Sequence, residues 1–154
     1  MAVCTVNRTL HLLAFITACH VGRPPPAAGG FKIDRVIVPV AEPGLKDALS
    51  SGLGQALSSM GALRDSGAVL NVAVLVADTS ASAVGPNSQM HTATLSVLVQ
   101  TGSRTGKFAA ERSYTVIDAI QGASARAEAF DYLVRQLMRD AATWAQSSGA
   151  ESQP

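Results

Sequence analysis

The most constraining feature of the sequence is the strict alternation of side chains in residues 89–100, QMHTATLSVLVQ. One side holds His91, Ala93, Leu95, Val97 and Val99, and the other holds Thr92, Thr94, Ser96, Leu98 and Gln100. Successive side chains of a β-strand point to opposite faces, so this pattern predicts a strand with one covered and one exposed face. Such strands are typical of antiparallel sheets with a second layer on one side only.

The part of the chain before this strand predicts a strand, a helix and another strand. Residues 31–40 are rich in β-branched side chains and end near a proline, which is typical of an edge strand. Residues 43–61 begin with a proline suited to a first helical turn and end with a glycine suited to a C-terminal cap. Their apolar side chains lie on one helical face: Leu45, Leu49, Leu53, Ala56, Leu57 and Met60. Residues 68–82 are apolar on both faces at first, which predicts a central strand.

The part after it predicts a hairpin and a long helix. Residues 101–106, TGSRTG, form the expected tip, and residues 107–118 form the returning strand. Residues 123–148 carry apolar side chains at helical spacing: Phe130, Leu133, Val134, Leu137, Ala141 and Trp144. We expect Trp144 and Tyr132 in the core.

Two helices with one apolar stripe each must cover one face of a four-stranded sheet. The predicted fold class is therefore α+β: a two-layer sandwich in the order β-α-β-β-β-α, with two helices on one face of a mixed sheet. The predicted domain spans residues 31–147, and residues 148–154 are a predicted disordered tail.

Composition limits the classes of function. Apolar residues make up 47% of the 154 residues and charged residues 15%, which argues against a disordered chain. The formal net charge is +1, and residues 31–147 contain ten Lys/Arg and ten Asp/Glu. A neutral domain lacks the electrostatic drive that non-specific nucleic-acid binding requires. We expect no nucleic-acid partner, and no apolar run reaches the roughly 18–20 residues of a membrane-spanning helix.

The first thirty residues differ from the rest. Residues 1–8 carry one positive charge, and TLHLLAFITA follows as a short apolar stretch that ends just before Cys19. This order predicts a secretory signal peptide over residues 1–18. The next segment, HVGRPPPAAGG, contains three prolines and paired glycines, which neither continue a helix nor supply ladder hydrogen bonds. Residues 19–30 therefore predict a tether; the alternative is an ordinary N-terminal strand or helix with a buried cysteine.

The sequence ITAC at residues 16–19 resembles the lipobox of bacterial lipoproteins, in which an aliphatic and two small residues precede a cysteine. The resemblance implies cleavage before Cys19 and acylation of its thiol and new amino terminus, with palmitate among the acyl chains. Several acyl chains give durable membrane attachment. His20 follows where inner-membrane lipoproteins often have aspartate, which implies an outer-membrane location on the periplasmic face.

No set of residues predicts catalysis. The sequence has no G-x-S-x-G motif, and the histidines and carboxylates are scattered. Both cysteines, Cys4 and Cys19, precede the domain and lack further ligands for zinc. We expect a protein that is not an enzyme, with no cofactor and no metal, and we expect His91 to be a packed or surface side chain.

One local charge bias lies around the predicted hairpin tip. Arg104, Lys107 and Arg112 are accompanied there by Glu111 alone. Basic hairpin tips are commonly solvated turns. The functional alternative is contact with an anion, such as lipid phosphates or the acidic rim of a partner.

The order of lipobox, tether, strand, helix, three strands and long helix resembles the lipopolysaccharide-assembly lipoproteins (the LptE type). Three stretches carry the resemblance: IVPVAEPGLKDALSSGLGQAL, HTATLSVLVQTGSRTGKFAAERSYTVID and ARAEAFDYLVRQLMRDAATWA. In such hairpins a small polar tip precedes a strand ending SY-V, which Tyr114 and Val116 match. The resemblance implies a non-catalytic plug and partner of an outer-membrane β-barrel that inserts lipopolysaccharide. It would place Arg104, Lys107 and Arg112 at lipopolysaccharide phosphates.

Other classes of protein stay open. An auxiliary periplasmic lipoprotein of an ABC-type lipid transporter, or of another envelope machine, would share the anchor and the body. A small-molecule or peptidoglycan binder is a further class, which the lack of aromatic-rich or acidic clusters disfavours. Identifying the protein that co-purifies separates these alternatives.

Overall fold

The computed structural model describes residues 29–38, 44–85, 87–117 and 119–147. The expected signal peptide, Cys19, nearly all of the tether and the C-terminal tail lie outside the described residues. Their assignments stay predictions.

The described residues form four strands and two helices. The strands are β1 (Phe31–Ile37), β2 (Ala68–Gly85), β3 (Ser88–Thr101) and β4 (Arg104–Val116). The helices are α1 (Leu45–Ser59) and α2 (Ala119–Ser147). The sheet order is β1-β2-β3-β4, with β1 parallel to β2 and the other two pairs antiparallel. The predicted α+β class, the element order and the mixed sheet are confirmed.

Both helices cover the same face of the sheet. On β3 the residues facing them are Ala93, Leu95, Val97 and Val99, each with 0% exposure. The leucines predicted to form the apolar face of α1 are all buried: Leu45, Leu49, Leu53 and Leu57. In α2 the buried side chains include Leu133, Leu137 and Met138. We call the opposite, uncovered side of the sheet the open face.

A bulge in β2 separates two parts of the sheet. Val74 pairs with Val97 and Val76 pairs with Ser96, so Leu75 is the additional residue. Leu70, Val72 and Val74 are buried before the bulge, whereas residues 80–85 are exposed after it. A bulge bends its strand and increases the local twist. The far part of the β2–β3 hairpin therefore continues beyond the main core.

The hairpin between β3 and β4 has a shorter tip than predicted. The turn consists of Gly102 and Ser103 alone, and β4 already begins at Arg104. Gly102 has a φ of 56° and no non-glycine residue described has a positive φ. Glycine at the first central position with an ordinary second residue fits a type II′ turn, which matches the twist of the flanking strands.

Helix α2 begins four residues before its predicted start. Gly122, which precedes the predicted helix, lies inside the observed one. A Cβ at this position would lie 3.0 Å from Val116 Cγ1. The glycine therefore lets the start of α2 approach the end of β4 closely, a long-range reason that sequence periodicity does not show.

The beginning of β1 is held on both sides by backbone hydrogen bonds. The amide of Phe31 donates to Ala62 O at 2.7 Å, and the amide of Arg64 donates to Phe31 O at 2.9 Å. On the other side, the amide of Ala68 donates to Gly30 O at 3.1 Å. We call these three bonds the β1 clamp.

Two glycines of α1 face different neighbours and predict opposite responses to alanine. At Gly54 a Cβ would meet only Ile33 Cδ1, at 3.8 Å, so Gly54→Ala is expected to raise the free energy of unfolding by about 0.5–1 kcal/mol through helix propensity. At Gly52 a Cβ would lie 3.2 Å from Val134 Cγ1 and 3.4 Å from Met138 Cγ. Crowding against α2 is expected to cancel that gain in Gly52→Ala. Urea denaturation of both variants checks the difference, and an equal gain in both would contradict it.

No helix within the described ranges is both long enough and apolar enough to cross a membrane.

Candidate functional site: the β4–α2 cations and the open face

Arg104 lies against an aromatic pair on the helix-covered side of the sheet. Its guanidinium carbon is 5.5 Å from the centroid of the Trp144 ring, and Trp144 meets Phe108 edge to face at 5.9 Å. Gly106 makes room for this contact, because a Cβ there would lie 3.0 Å from Trp144 Cε2 and 2.9 Å from Phe108 Cε2. A cation over an aromatic face is held in position while its N–H edge can bind an anion.

Arg112 makes a similar contact with the middle of α2. Its guanidinium carbon lies 4.1 Å from the centroid of the Tyr132 ring. Tyr132 is 45% exposed, so the expectation that it belongs to the core is wrong. The sequence contains the reason, since Tyr132 falls outside the spacing of the apolar stripe of α2, whereas Trp144 falls within it and packs against the core.

Lys107 lies on the other side of the sheet. The register pairs Arg104 with Thr101 and Arg112 with Ala93, whereas Lys107 pairs with Leu98 on the open face. The structure therefore does not bring the three predicted cations into one cluster. Arg104 and Arg112 both face α2, and Lys107 lies on the open face. The two arginines are eight positions apart on β4, which corresponds to roughly 26 Å at 3.3 Å per residue.

Trp144 is the only tryptophan in the chain, so its fluorescence reports on the Arg104 contact. In Arg104→Ala the ring loses its cation and gains water, and we expect a red shift of the emission maximum with a stability loss of about 0.5–1 kcal/mol. Lys107→Ala is the matched control, since it removes a cation of the same strand from the opposite face. Equal shifts in the two variants would contradict the placement.

The open face has an apolar part and a polar part. Near the bulge it exposes Ile37 (47%), Leu75 (45%) and Val76 (43%). Beyond the bulge, paired residues form three rows across the sheet that are mostly hydroxyl-bearing: Asp78–Thr94–Glu111, Ser80–Thr92–Ser113 and Ser82–Met90–Thr115. This half of the open face can offer many hydrogen bonds, and the only charged side chains in its three rows are the carboxylates of Asp78 and Glu111.

Polar side chains on this face already bond across the strands. Thr92 Oγ1 lies 3.0 Å from Ser113 Oγ, and Thr94 Oγ1 donates to Glu111 Oε1 at 3.5 Å. Ser96 is 5% exposed, and its hydroxyl has no hydrogen-bond partner among the described residues. The cross-strand hydrogen bonds hold the polar side chains of this face in defined positions.

A groove of about 880 Å³ lies on the helix-covered side beyond the bulge, between the far part of the β2–β3 hairpin and the start of α2. The ring of His91 stacks on Tyr114 with centroids 5.5 Å apart, in agreement with its prediction as a packed or surface side chain. Across the groove Arg126 Nε donates to Thr79 Oγ1 at 3.2 Å. The sequence did not indicate this groove, because it depends on the bulge and on the early start of α2.

The described residues contain no group of three or more His, Cys, Asp or Glu side chains able to hold a metal ion. The described residues instead offer surfaces: two cations stacked on aromatic rings, a polar sheet face and a shallow groove. Such surfaces bind partners or anions through positioned hydrogen-bonding groups.

Comparison with known proteins gives similarity at the level of fold. No protein-family model matches the chain, and no curated protein is significantly similar to it in sequence. A solved structure from Xanthomonas campestris, described by the DUF330 family model, is similar with a TM-score of 0.57 and 16% identity, covering 82% of this chain and 89% of that one. At this identity the likeness shows the fold alone.

Two further solved structures have lower scores. A putative lipoprotein from Caulobacter crescentus CB15 has a TM-score of 0.48 at 12% identity, covering 76% of this chain and 92% of its own. Rare lipoprotein B from Shewanella oneidensis has a TM-score of 0.41 at 15% identity, covering 77% of this chain and 96% of its own. Proteins named as bacterial lipoproteins therefore occur among the solved structures similar to this chain.

Proposed function

We propose that this protein is an outer-membrane lipoprotein that acts without catalysis as the partner and plug of a β-barrel that inserts lipopolysaccharide. It would help the barrel to assemble and help lipopolysaccharide to reach the cell surface. The observation that carries the proposal is the polar half of the open face, with its rows of hydroxyl-bearing side chains. The interior of a large membrane barrel is polar and often filled by a plug, so this surface suits a lumen wall.

The attachment part of the proposal rests on the sequence. Acylation of Cys19 would fix the chain in the periplasmic leaflet of the outer membrane, and the eleven residues 20–30 would connect it to β1. A tether of this length, partly polyproline, spans up to roughly 30 Å. The domain could then reach a barrel in the same membrane.

The delivery part rests on Arg104 and Arg112. Each guanidinium is positioned over an aromatic ring of α2, and neither has a carboxylate partner within the described part of the chain. Phosphates pair well with guanidinium groups, which can donate two parallel hydrogen bonds. Lipopolysaccharide phosphates are the proposed anions, and Lys107 would contact them from the opposite face.

Co-purification of the full-length protein in mild detergent tests the partner. We expect a large outer-membrane barrel to accompany it, and depletion of the protein to lower surface lipopolysaccharide. Ser80→Arg, which places a long cation in the polar rows, is expected to reduce the amount of barrel recovered. Thr143→Arg is the matched control, because Thr143 is an exposed residue of α2 on the other side of the sheet. Recovery of an inner-membrane lipid transporter would instead support the auxiliary-lipoprotein alternative.

Mass spectrometry of the mature amino terminus tests the attachment. We expect a chain that begins at an acylated Cys19, and Cys19→Ser is expected to release the protein from the membrane fraction. Cys4→Ser is the matched control and is expected to leave the attachment unchanged. An intact chain with an unmodified thiol at Cys19 in the soluble fraction would overturn this part of the proposal.

A further inference from the structure

Strand β4 is a long, regular edge of the sheet. It pairs with β3 without a register shift from Gln89–Val116 to Thr101–Arg104. Its thirteen residues contain no proline, and no other described strand pairs with its outer side. Proteins commonly protect such an edge with a bulge, a proline or a cover, because its free backbone groups can pair with another strand.

The turn before β4 determines which residues present these free groups. Gly102 and Ser103 form a two-residue turn, and the pair that closes such a hairpin, Thr101 and Arg104, exchanges both backbone hydrogen bonds. Bonded and non-bonded pairs alternate along an antiparallel ladder. The amides and carbonyls of the odd-numbered residues of β4, from Thr105 to Thr115, therefore point to the free edge.

We propose that this edge pairs antiparallel with β4 of a second copy of the chain, with Ala109 opposite Ala109 of the other copy. In this register Lys107 of each copy lies opposite Glu111 of the other, so two oppositely charged pairs flank the dyad on the open face. Both residues are exposed, and they are the only charged residues of β4 on that face. Opposite charges directly across two strands stabilise their pairing.

Other registers lose this complementarity. Centring the dyad on Phe108 would place Arg104 opposite Arg112 and Lys107 opposite Ala109. Centring it on Ala110 would place Lys107 opposite Ser113 and Glu111 opposite Ala109. Centring it on Glu111 would place two glutamates opposite each other. Only the register about Ala109 pairs every charge on the open face with an opposite one.

The dimer is compatible with the fold of each copy. A dyad perpendicular to the sheet joins two four-stranded sheets into one of eight strands, a size within the ordinary range. It keeps all helices on one side and leaves the polar rows of both open faces on the other. Because it depends on β4 alone, the dimer does not rely on the proposed function or on acylation of Cys19.

Sedimentation velocity of the full chain over a range of concentrations tests the charge pairs. We expect a reversible dimer, and we expect Lys107→Glu and Glu111→Lys each to raise its dissociation constant at least tenfold, since each change creates two like-charge pairs. The double variant Lys107→Glu/Glu111→Lys is expected to return to within about threefold of the original value. Lys32→Glu, the same charge change on the open face of β1, is the matched control and is expected to have no effect.

Cysteine cross-linking tests the register independently. In the full chain with Cys4→Ser and Cys19→Ser, Ala109→Cys is expected to give a covalent dimer on oxidation, because the Cα atoms of a hydrogen-bonded pair lie about 5.5 Å apart, within disulfide range. Ser113→Cys is the control, since Ser113 would lie opposite Thr105 and far from its own copy. A monomer at all concentrations, failure of the double variant to recover, or cross-linking through Ser113→Cys in place of Ala109→Cys would each overturn the dimer.

Discussion

Replacing Leu53 by alanine is expected to lower the free energy of unfolding by about 2–5 kcal/mol, the cost of a large-to-small change at a site that cannot collapse. Leu53 has 0% exposure in the middle of α1, a helix that packs against both β1 and α2. Removing the three carbon atoms beyond its Cβ leaves a cavity in the core between α1 and its neighbours. Equilibrium denaturation in urea measures the loss as a lower midpoint at an unchanged slope.

The control for this variant is Leu75→Ala. It removes the same atoms from the bulge of β2, where the side chain is 45% exposed on the open face. Less apolar area is removed from water there than at Leu53, and we expect a loss of about 1 kcal/mol. Comparable losses in the two variants would show that the open face is covered in the folded protein and would contradict the two-layer arrangement.

Gly67→Ala is expected to lower the free energy of unfolding by about 1–3 kcal/mol, the usual cost of overpacking. We expect a value near the upper end of this range, because the obstructing atoms belong to the backbone. A Cβ on Gly67 would lie 2.6 Å from the carbonyl oxygens of both Gly29 and Gly30. Relief requires the start of β1 to move away, which breaks the β1 clamp. Thermal and urea denaturation should both report the loss.

Gly29→Ala provides the comparison for Gly67→Ala. Gly29 belongs to the same contact, but a Cβ on it would meet no atom within 4 Å. We expect Gly29→Ala to change the free energy of unfolding by less than about 0.5 kcal/mol, as surface substitutions generally do. If Gly29→Ala proved as harmful as Gly67→Ala, general sensitivity of this segment, and not the close approach of Gly67, would be the cause.

The sequence predicted the layers of this fold because their signals are local and repeated. The alternation through Ala93, Leu95 and Val97 defined a strand with one covered face, and the leucines of α1 defined the stripe that covers it. The boundaries that differ depend on distant neighbours. Gly122 precedes the predicted helix, and the close approach of Val116 to this position is a long-range feature that helical spacing does not show.

The candidate site was predicted in part. The sequence predicts the three cations as one group around a tip of six residues, and a tip that includes Arg104 hides its place in the alternation of β4. Once β4 starts at Arg104, the period of two places the even-numbered Arg104 and Arg112 on the helix-covered face. The same period places the odd-numbered Lys107 on the open face. Their aromatic partners, Trp144 and Tyr132, come from a helix that is distant in sequence, and only the packing of α2 on β4 brings them together.

The β1 clamp also determines how the domain responds to tension. If the chain is tethered through Cys19 as proposed, a pull on the tether would pass through Gly30 into Phe31, where hydrogen bonds to residues on both flanks would share the force. These bonds lie at the beginning of β1, so they have to break before β1 can separate from β2 and uncover Leu70 and Val72. With such an attachment, the clamp would keep the core closed while the tether followed the thermal movements of the bilayer.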